Sequence, residues 1–226
     1  CVVLNEIMTA DNMAFFEKKK KLTPVLDSLV SKSIFFENAY SEGIHTFNGI
    51  YGTLFSFPAL WNEHPMKTIK NYNGFTNVLR KEGYKTNFFM THDDQFDNVG
   101  GFLFANNFNK IYSQKDYPIS EIHSNLGVSD DYLFRFSIDK INRLYQEKAP
   151  FFCAMMTASN HAPIVIPDYF KSSNDNESEK VIQYADWSIG QFLKNASKQK
   201  WFQNTIFVFV ADHGASSDKT YEMSLS

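Results

Sequence analysis

Four short apolar runs, each ending in a reactive polar side chain and separated from the next by stretches of helical spacing, constrain this chain more than any other feature. Residues 2–5 run into Glu6, 86–90 into Thr91-His92-Asp93-Asp94, 151–157 into Ser159-Asn160-His161, and 205–211 into Asp212-His213-Gly214. Strands that alternate with helices favour a parallel sheet covered on both faces. Such a sheet gathers its chemistry along the carboxyl edge of its strands. The expected fold class is therefore α/β, a central mostly parallel sheet with helices on both faces. With 226 residues and 43% hydrophobic content the chain can fill one sizeable core, so a single domain over 1–226 is expected.

The helices are read from their spacing. Thr23-Pro24 predicts an N-cap followed by proline at the first helical position, with Val25, Leu26, Leu29 and Val30 as the apolar stripe. Ile34-Phe35-Phe36 predicts a return to extended structure. Phe47, Ile50, Tyr51 and Leu54 repeat at three and four residues, which predicts a helix starting at or just beyond Thr46. Phe75, Val78 and Leu79 predict another, ended by Gly83. Ser129 is expected to cap a longer helix through Tyr145, and Val181, Ile182, Ala185, Ile189 and Phe192 line a last one after the polar loop 171–180.

Several function classes are disfavoured. A net charge of −3 gives no reason to expect nucleic acid, and the run Lys18 to Lys21 reads as a solvated face. Cys1 and Cys153 allow at most one bridge, and Cys153, inside an apolar run, is expected as a buried free thiol. Asn176-Glu177-Ser178 and Asn195-Ala196-Ser197 match the glycosylation acceptor pattern but carry little weight. No apolar stretch reaches the roughly 18 to 20 residues of a membrane span. The chain opens on the strand-like Cys1-Val2-Val3-Leu4 and stops at Leu225-Ser226 soon after the expected site loop, so a fragment of a longer protein is expected.

A carboxylate-histidine-carboxylate set offers oxygen and imidazole donors together, which suits Mn²⁺, Mg²⁺ or Zn²⁺. The candidate nucleophile is Thr46, within Glu42-Gly43-Ile44-His45-Thr46-Phe47-Asn48-Gly49, because a helix amino terminus attracts an anionic phosphate. A cation beside that hydroxyl would make it a better nucleophile. The rival role for Thr46 is a plain N-cap.

These residues resemble the sulfatase-like branch of the alkaline phosphatase superfamily, and within it the lipoteichoic acid synthase type of phosphoglycerol transferase. The resemblance spans nearly the whole chain, through Val2-Val3-Leu4-Asn5-Glu6, Leu22 to Leu29, Gly43-Ile44-His45-Thr46, Gly83-Tyr84-Lys85-Thr86, Ser159-Asn160-His161-Ala162-Pro163 and Ala211-Asp212-His213-Gly214. It implies a catalytic domain, incomplete at its carboxyl end, in which Glu6, Thr46, Asp212 and His213 ligate one divalent cation. Mn²⁺ is the first choice, with Mg²⁺ and Zn²⁺ as alternatives. Thr46 would carry a covalent phosphoglycerol intermediate, and His161 would bind phosphate or protonate the leaving group. His92, Asp94 and Asn98 would face the substrate.

The implied partners are an anionic phospholipid donor and a glycan or glycerol acceptor. A membrane region ahead of this chain would hold the domain on the extracytoplasmic side of the cell membrane. Two departures bear on specificity. Some members place an arginine and a tryptophan in the segment that here reads 93–102, and this chain has neither there. The Thr46 segment also lacks the C/S-x-P-x-R pattern of arylsulfatases, which disfavours sulfate ester hydrolysis. The alternatives are a phosphodiesterase or sulfatase-like hydrolase of the same fold, and a catalytically silent domain that binds anionic lipid or glycan.

Overall fold

A computed structural model describes residues 1–18, 21–58, 63–68, 70–172 and 174–215. Lys19 and Lys20 of the lysine run, and the final Leu225-Ser226, lie outside the described residues. Among the described residues five parallel strands form one sheet: β1 (Val2–Asn5), β2 (Lys85–Met90), β3 (Lys110–Tyr112), β4 (Phe151–Met156) and β5 (Val208–Ala211), in the spatial order β3-β2-β4-β1-β5.

Among the described residues six α-helices accompany them: α1 (Pro24–Val30), α2 (Thr46–Phe55), α3 (Phe75–Lys81), α4 (Val99–Ala105), α5 (Asp130–Gln146) and α6 (Glu177–Ala196). Alternation along the strands divides the interior into two layers. Val3, Phe89, Cys153 and Met155 join a core with Leu26 of α1, Leu133 and Ile141 of α5, and Ile189 and Phe192 of α6. Their neighbours Leu4, Phe88, Ala154 and Met156 face the other way, onto Ile50 and Leu54 of α2 and Phe102 and Leu103 of α4. Strands buried on both faces explain the continuous apolar runs.

Most expected elements are present, with three differences. Ile34 and Phe36 are largely exposed and belong to no strand. Three consecutive apolar residues carry no two-residue alternation, and Phe35 instead packs edge-on against Phe15 on the surface, 4.8 Å between centroids. Strand β3 and helix α4 escape the pattern, the first because it has three residues and the second because Gly100-Gly101 interrupts its spacing. The expected strand over 205–211 is shorter, beginning at Val208.

Capping also differs from expectation at α1. Thr23 occupies the N-cap position but its hydroxyl donates to the Asn12 carbonyl. The free N–H groups of Val25 and Leu26 are bound by the Asp186 carboxylate of α6, at 2.8 and 2.9 Å. Cys1 and Cys153 are both free thiols, and Cys153 is buried. Among the described residues no helix is long and apolar enough to cross a membrane.

Candidate functional site

Strand register brings the two acids together. Asn5 lies opposite Ala211 across the parallel pair β1–β5, so the next residue of each strand, Glu6 and Asp212, leaves the sheet edge beside the other. Both are buried. The Asp212 Oδ1 atom accepts from the backbone N–H groups of Ile7 at 3.0 Å and His213 at 2.7 Å. Its Oδ2 and the Glu6 Oε1 have no hydrogen-bond partner among the described residues. Each lies 3.6 Å from His213 Nε2. On the other side of the ring, His213 Nδ1 lies 2.9 Å from the Gly214 carbonyl oxygen. A carbonyl only accepts, so Nδ1 carries a proton and Nε2 is the atom turned to the acids.

Thr46 meets this cluster from the opposite layer. It is the first residue of α2, with His45 as the N-cap and Asn48 Oδ1 accepting from the His45 N–H at 3.2 Å. The hydroxyl is therefore released from a capping role, and it donates to Glu6 Oε2 at 3.4 Å. One turn further on, Gly49 sets how close α2 can come: a Cβ there would fall 2.3 Å from the Asp212 carbonyl oxygen. Only a residue without a side chain permits this approach.

The donor set fits a divalent cation. Two buried acids with an unpartnered oxygen each, facing one imidazole nitrogen, are short of positive charge. Burial, and then the Glu6 carboxylate, push the Asp212 acid up to about 7. For His213 burial acts to lower the pKa, but Glu6, the Gly214 carbonyl and Asp212 outweigh it and hold the ring up at about 9. Both shifts express one demand, that a cation stay in the cluster. The Nδ1–H bond to a backbone carbonyl is also the outer contact that orients ligating histidines.

The other expected site residues are placed as follows. His161 is on the loop after β4, with Nδ1 held 2.6 Å from the Ala162 carbonyl, which leaves Nε2 free of that contact. His92 is buried beyond β2, its Nδ1 at 3.2 Å from Thr91 Oγ1. Burial lowers its pKa, with Glu6 opposing and His161 adding to the effect. Asp94 and Asn98 are engaged away from the cluster. Asp94 Oδ2 accepts from Lys115 Nζ at 2.6 Å, and Asn98 Nδ2 donates to the Met66 carbonyl at 2.7 Å.

Two supporting residues escape sequence reasoning. Thr157 Oγ1 accepts from the Glu6 N–H at 3.0 Å and so fixes the turn that presents the acid. Gly49 had a signal, a glycine inside a helical pattern one turn after the nucleophile candidate.

A family model described as Sulfatase matches residues 1–224. The lipoteichoic acid synthase-like protein YvgJ of Bacillus subtilis (strain 168) is 25% identical over 223 residues, which cover 88% of this chain and 34% of that protein. A solved structure of an alkaline phosphatase superfamily protein from Vibrio parahaemolyticus superposes with a TM-score of 0.88 at 27% identity, over 97% of this chain and 55% of that one. The lipoteichoic acid synthase LtaP from Listeria monocytogenes superposes with a TM-score of 0.86 at 21% identity, over 94% and 55% respectively. The chain thus spans about a third of the length of the curated relative.

Proposed function

The chain belongs to the sulfatase family, and on that premise we propose that it transfers a phosphoglycerol or related phospho-alcohol group from an anionic phospholipid to a glycan or glycerol hydroxyl. The group passes through a covalent bond to Thr46. The observation that carries this reading is the convergence of the Thr46 hydroxyl on Glu6, beside the unpartnered Glu6 Oε1 and Asp212 Oδ2 and the Nε2 of His213. These four residues would hold one divalent cation, Mn²⁺ first and Mg²⁺ or Zn²⁺ as alternatives. When bound it supplies charge neutralisation at phosphorus and a lowered hydroxyl pKa.

The chain's own groups then divide the work. The amino terminus of α2 offers partial positive charge to the phosphate. Thr46 Oγ1 forms the bond to phosphorus as the bond from phosphorus to the lipid oxygen breaks. Glu6 Oε2, which accepts from the hydroxyl, takes up its proton. His161 delivers a proton from Nε2 to the departing lipid oxygen. In the second half, the acceptor hydroxyl attacks and gives its proton to His161, the bond from phosphorus to Thr46 breaks, and Glu6 Oε2 returns the first proton to Thr46 Oγ1. A lipid donor accords with attachment of the whole protein to the cell membrane by a segment outside this chain, and with a site on the extracytoplasmic side.

Mass spectrometry of the protein after incubation with phosphatidylglycerol and Mn²⁺ tests the reading. A gain of one phosphoglycerol group on the peptide holding Thr46, lost in Thr46→Ala, is the expected result. Full turnover by Thr46→Ala contradicts the covalent step.

A further inference from the structure

The loop that carries His161 is tied to the acid cluster by the side chain just before it. Asn160 Nδ2 donates to the Ile7 carbonyl at 2.8 Å and to the Glu6 carbonyl at 3.4 Å. We propose that Asn160 is a positioning residue that locks the His161 loop onto the Glu6-Ile7 turn, so that proton donor and cation ligands are placed together; the role of His161 in this rests on the transfer reading above.

The turn is one that must be held. Ile7 has φ at 48°, in the left-handed region that a β-branched side chain disfavours. It leaves β1, whose neighbours in the sheet are β4 and β5, and each neighbour sends it one contact. From the end of β5, Asp212 Oδ1 accepts the Ile7 N–H at 3.0 Å. From beyond β4, Asn160 binds the Ile7 carbonyl. A disfavoured backbone conformation persists where surrounding contacts fix it on both sides.

The chemistry of the contact selects an amide. Two carbonyl oxygens only accept, so the group facing them must bring N–H donors, which the asparagine NH₂ does and an aspartate would not. The start of the loop is fixed by other means: the Ala158 and Ser159 N–H groups donate to Asp130 Oδ1 at 3.0 and 3.2 Å. His161 closes the turn, its N–H donating to the Ala158 carbonyl at 3.0 Å. Loss of the Asn160 donors therefore leaves the start of the loop in place and releases Ile7 and His161 together.

Amide hydrogen exchange of the chelator-stripped chain, followed by NMR, tests the proposal. Asn160→Leu keeps the size of the side chain and removes its donors, and should speed exchange at the Ile7 and His161 N–H groups by about tenfold or more. Exchange at Ala158, at Ser159 and along β2 should stay slow. Adding Mn²⁺ should slow both Ile7 and His161 in the wild type, and Ile7 alone in the variant. Turnover on dihexanoyl phosphatidylglycerol, relative to a p-nitrophenyl phosphoglycerol donor whose leaving group departs without a proton, should fall by about tenfold or more, through kcat and not KM. Asn160→Gln, with the donor on a longer arm, should recover part of each loss, and Asn160→Ala replaces the leucine variant if that does not fold. Unmoved exchange at His161, faster exchange spread over the whole sheet, an unchanged turnover ratio, or a rise in KM alone overturns the proposal. If the wild type binds no Mn²⁺ or turns over neither donor, it is the transfer reading that fails, and exchange in the stripped chain still decides the role of Asn160.

Discussion

Asp186 and Asp212 are both buried aspartates, and their surroundings differ in one respect. Asp186 uses both oxygens, one for each of two N–H groups at the start of α1. Asp131 is similar: Oδ1 receives the hydroxyls of Tyr184 and Tyr169, and Oδ2 faces Arg135 at 3.3 Å. Asp212 uses only Oδ1, and its Oδ2 is turned with Glu6 Oε1 toward one imidazole nitrogen. Asp130 also keeps a buried Oδ2 without a partner among the described residues while its Oδ1 accepts from the Ala158 and Ser159 N–H groups, so an idle oxygen alone does not mark a site. What sets Asp212 apart is that its idle oxygen faces a histidine nitrogen that a second acid shares.

The largest contrast is expected from substituting the two kinds of acid. Asp212→Asn should weaken Mn²⁺ binding and transfer by more than about 100-fold, because loss of an outer-shell partner alone costs 10–100-fold. In chelator it should leave the melting temperature unchanged or raised, since one of two facing acids is gone. Asp186→Ala should do the reverse, losing about 2–4 kcal/mol of stability in urea denaturation as two N–H groups are left unbound, with Mn²⁺ affinity retained. A large loss of stability in the first variant, or of metal affinity in the second, would break the distinction.

Gly49→Ala joins the two regions. Its Cβ meets the Asp212 backbone, so either α2 or the Asp212 turn must move. A stability loss of about 1–3 kcal/mol is expected, together with weaker Mn²⁺ binding, read by calorimetry on the same sample. Stability lost without any change in metal affinity would show that the contact only packs.

The smallest effect is the pH dependence of the fold-serving acid. Burial, opposed by the Leu26 and Val25 N–H groups, pushes Asp186 up to about 6 from an ordinary 3.8, and burial raises Asp130 likewise to about 6. Between about pH 4 and pH 6 the folded chain then binds more protons than the unfolded one, so the contribution of these acids falls as pH rises through that window and is level above it. The stability difference between wild type and Asp186→Asn should shrink over the same range in urea titrations. A difference that grows with pH would mean that the carboxylate, not the acid, is the favoured form.

Residues that end strands were legible because an apolar run followed by a polar side chain is a local signal. Glu6, His161, Asp212 and His213 are all of this kind. The pairing of Glu6 with Asp212 came only through the family resemblance and not from local pattern, since it depends on β1 lying beside β5, a contact some 200 residues apart in sequence. The start of α2 at Thr46 followed from its spacing, but the release of the hydroxyl from capping depends on His45 and Asn48. The same limit explains Asp94 and Asn98, whose partners Lys115 and Met66 are remote in sequence. It also explains α1, where an acid from α6 takes over the work expected of Thr23.

Calorimetric titration of Mn²⁺ into the chelator-stripped chain, beside Asp212→Asn and Glu6→Gln, tests the central claim most directly. Saturation at a single ion per chain in the wild type is expected, with a rise in stability of about 2.7 kcal/mol at a hundredfold excess over Kd and both responses lost in the two variants. No stoichiometric binding, or binding that survives both substitutions, would contradict it.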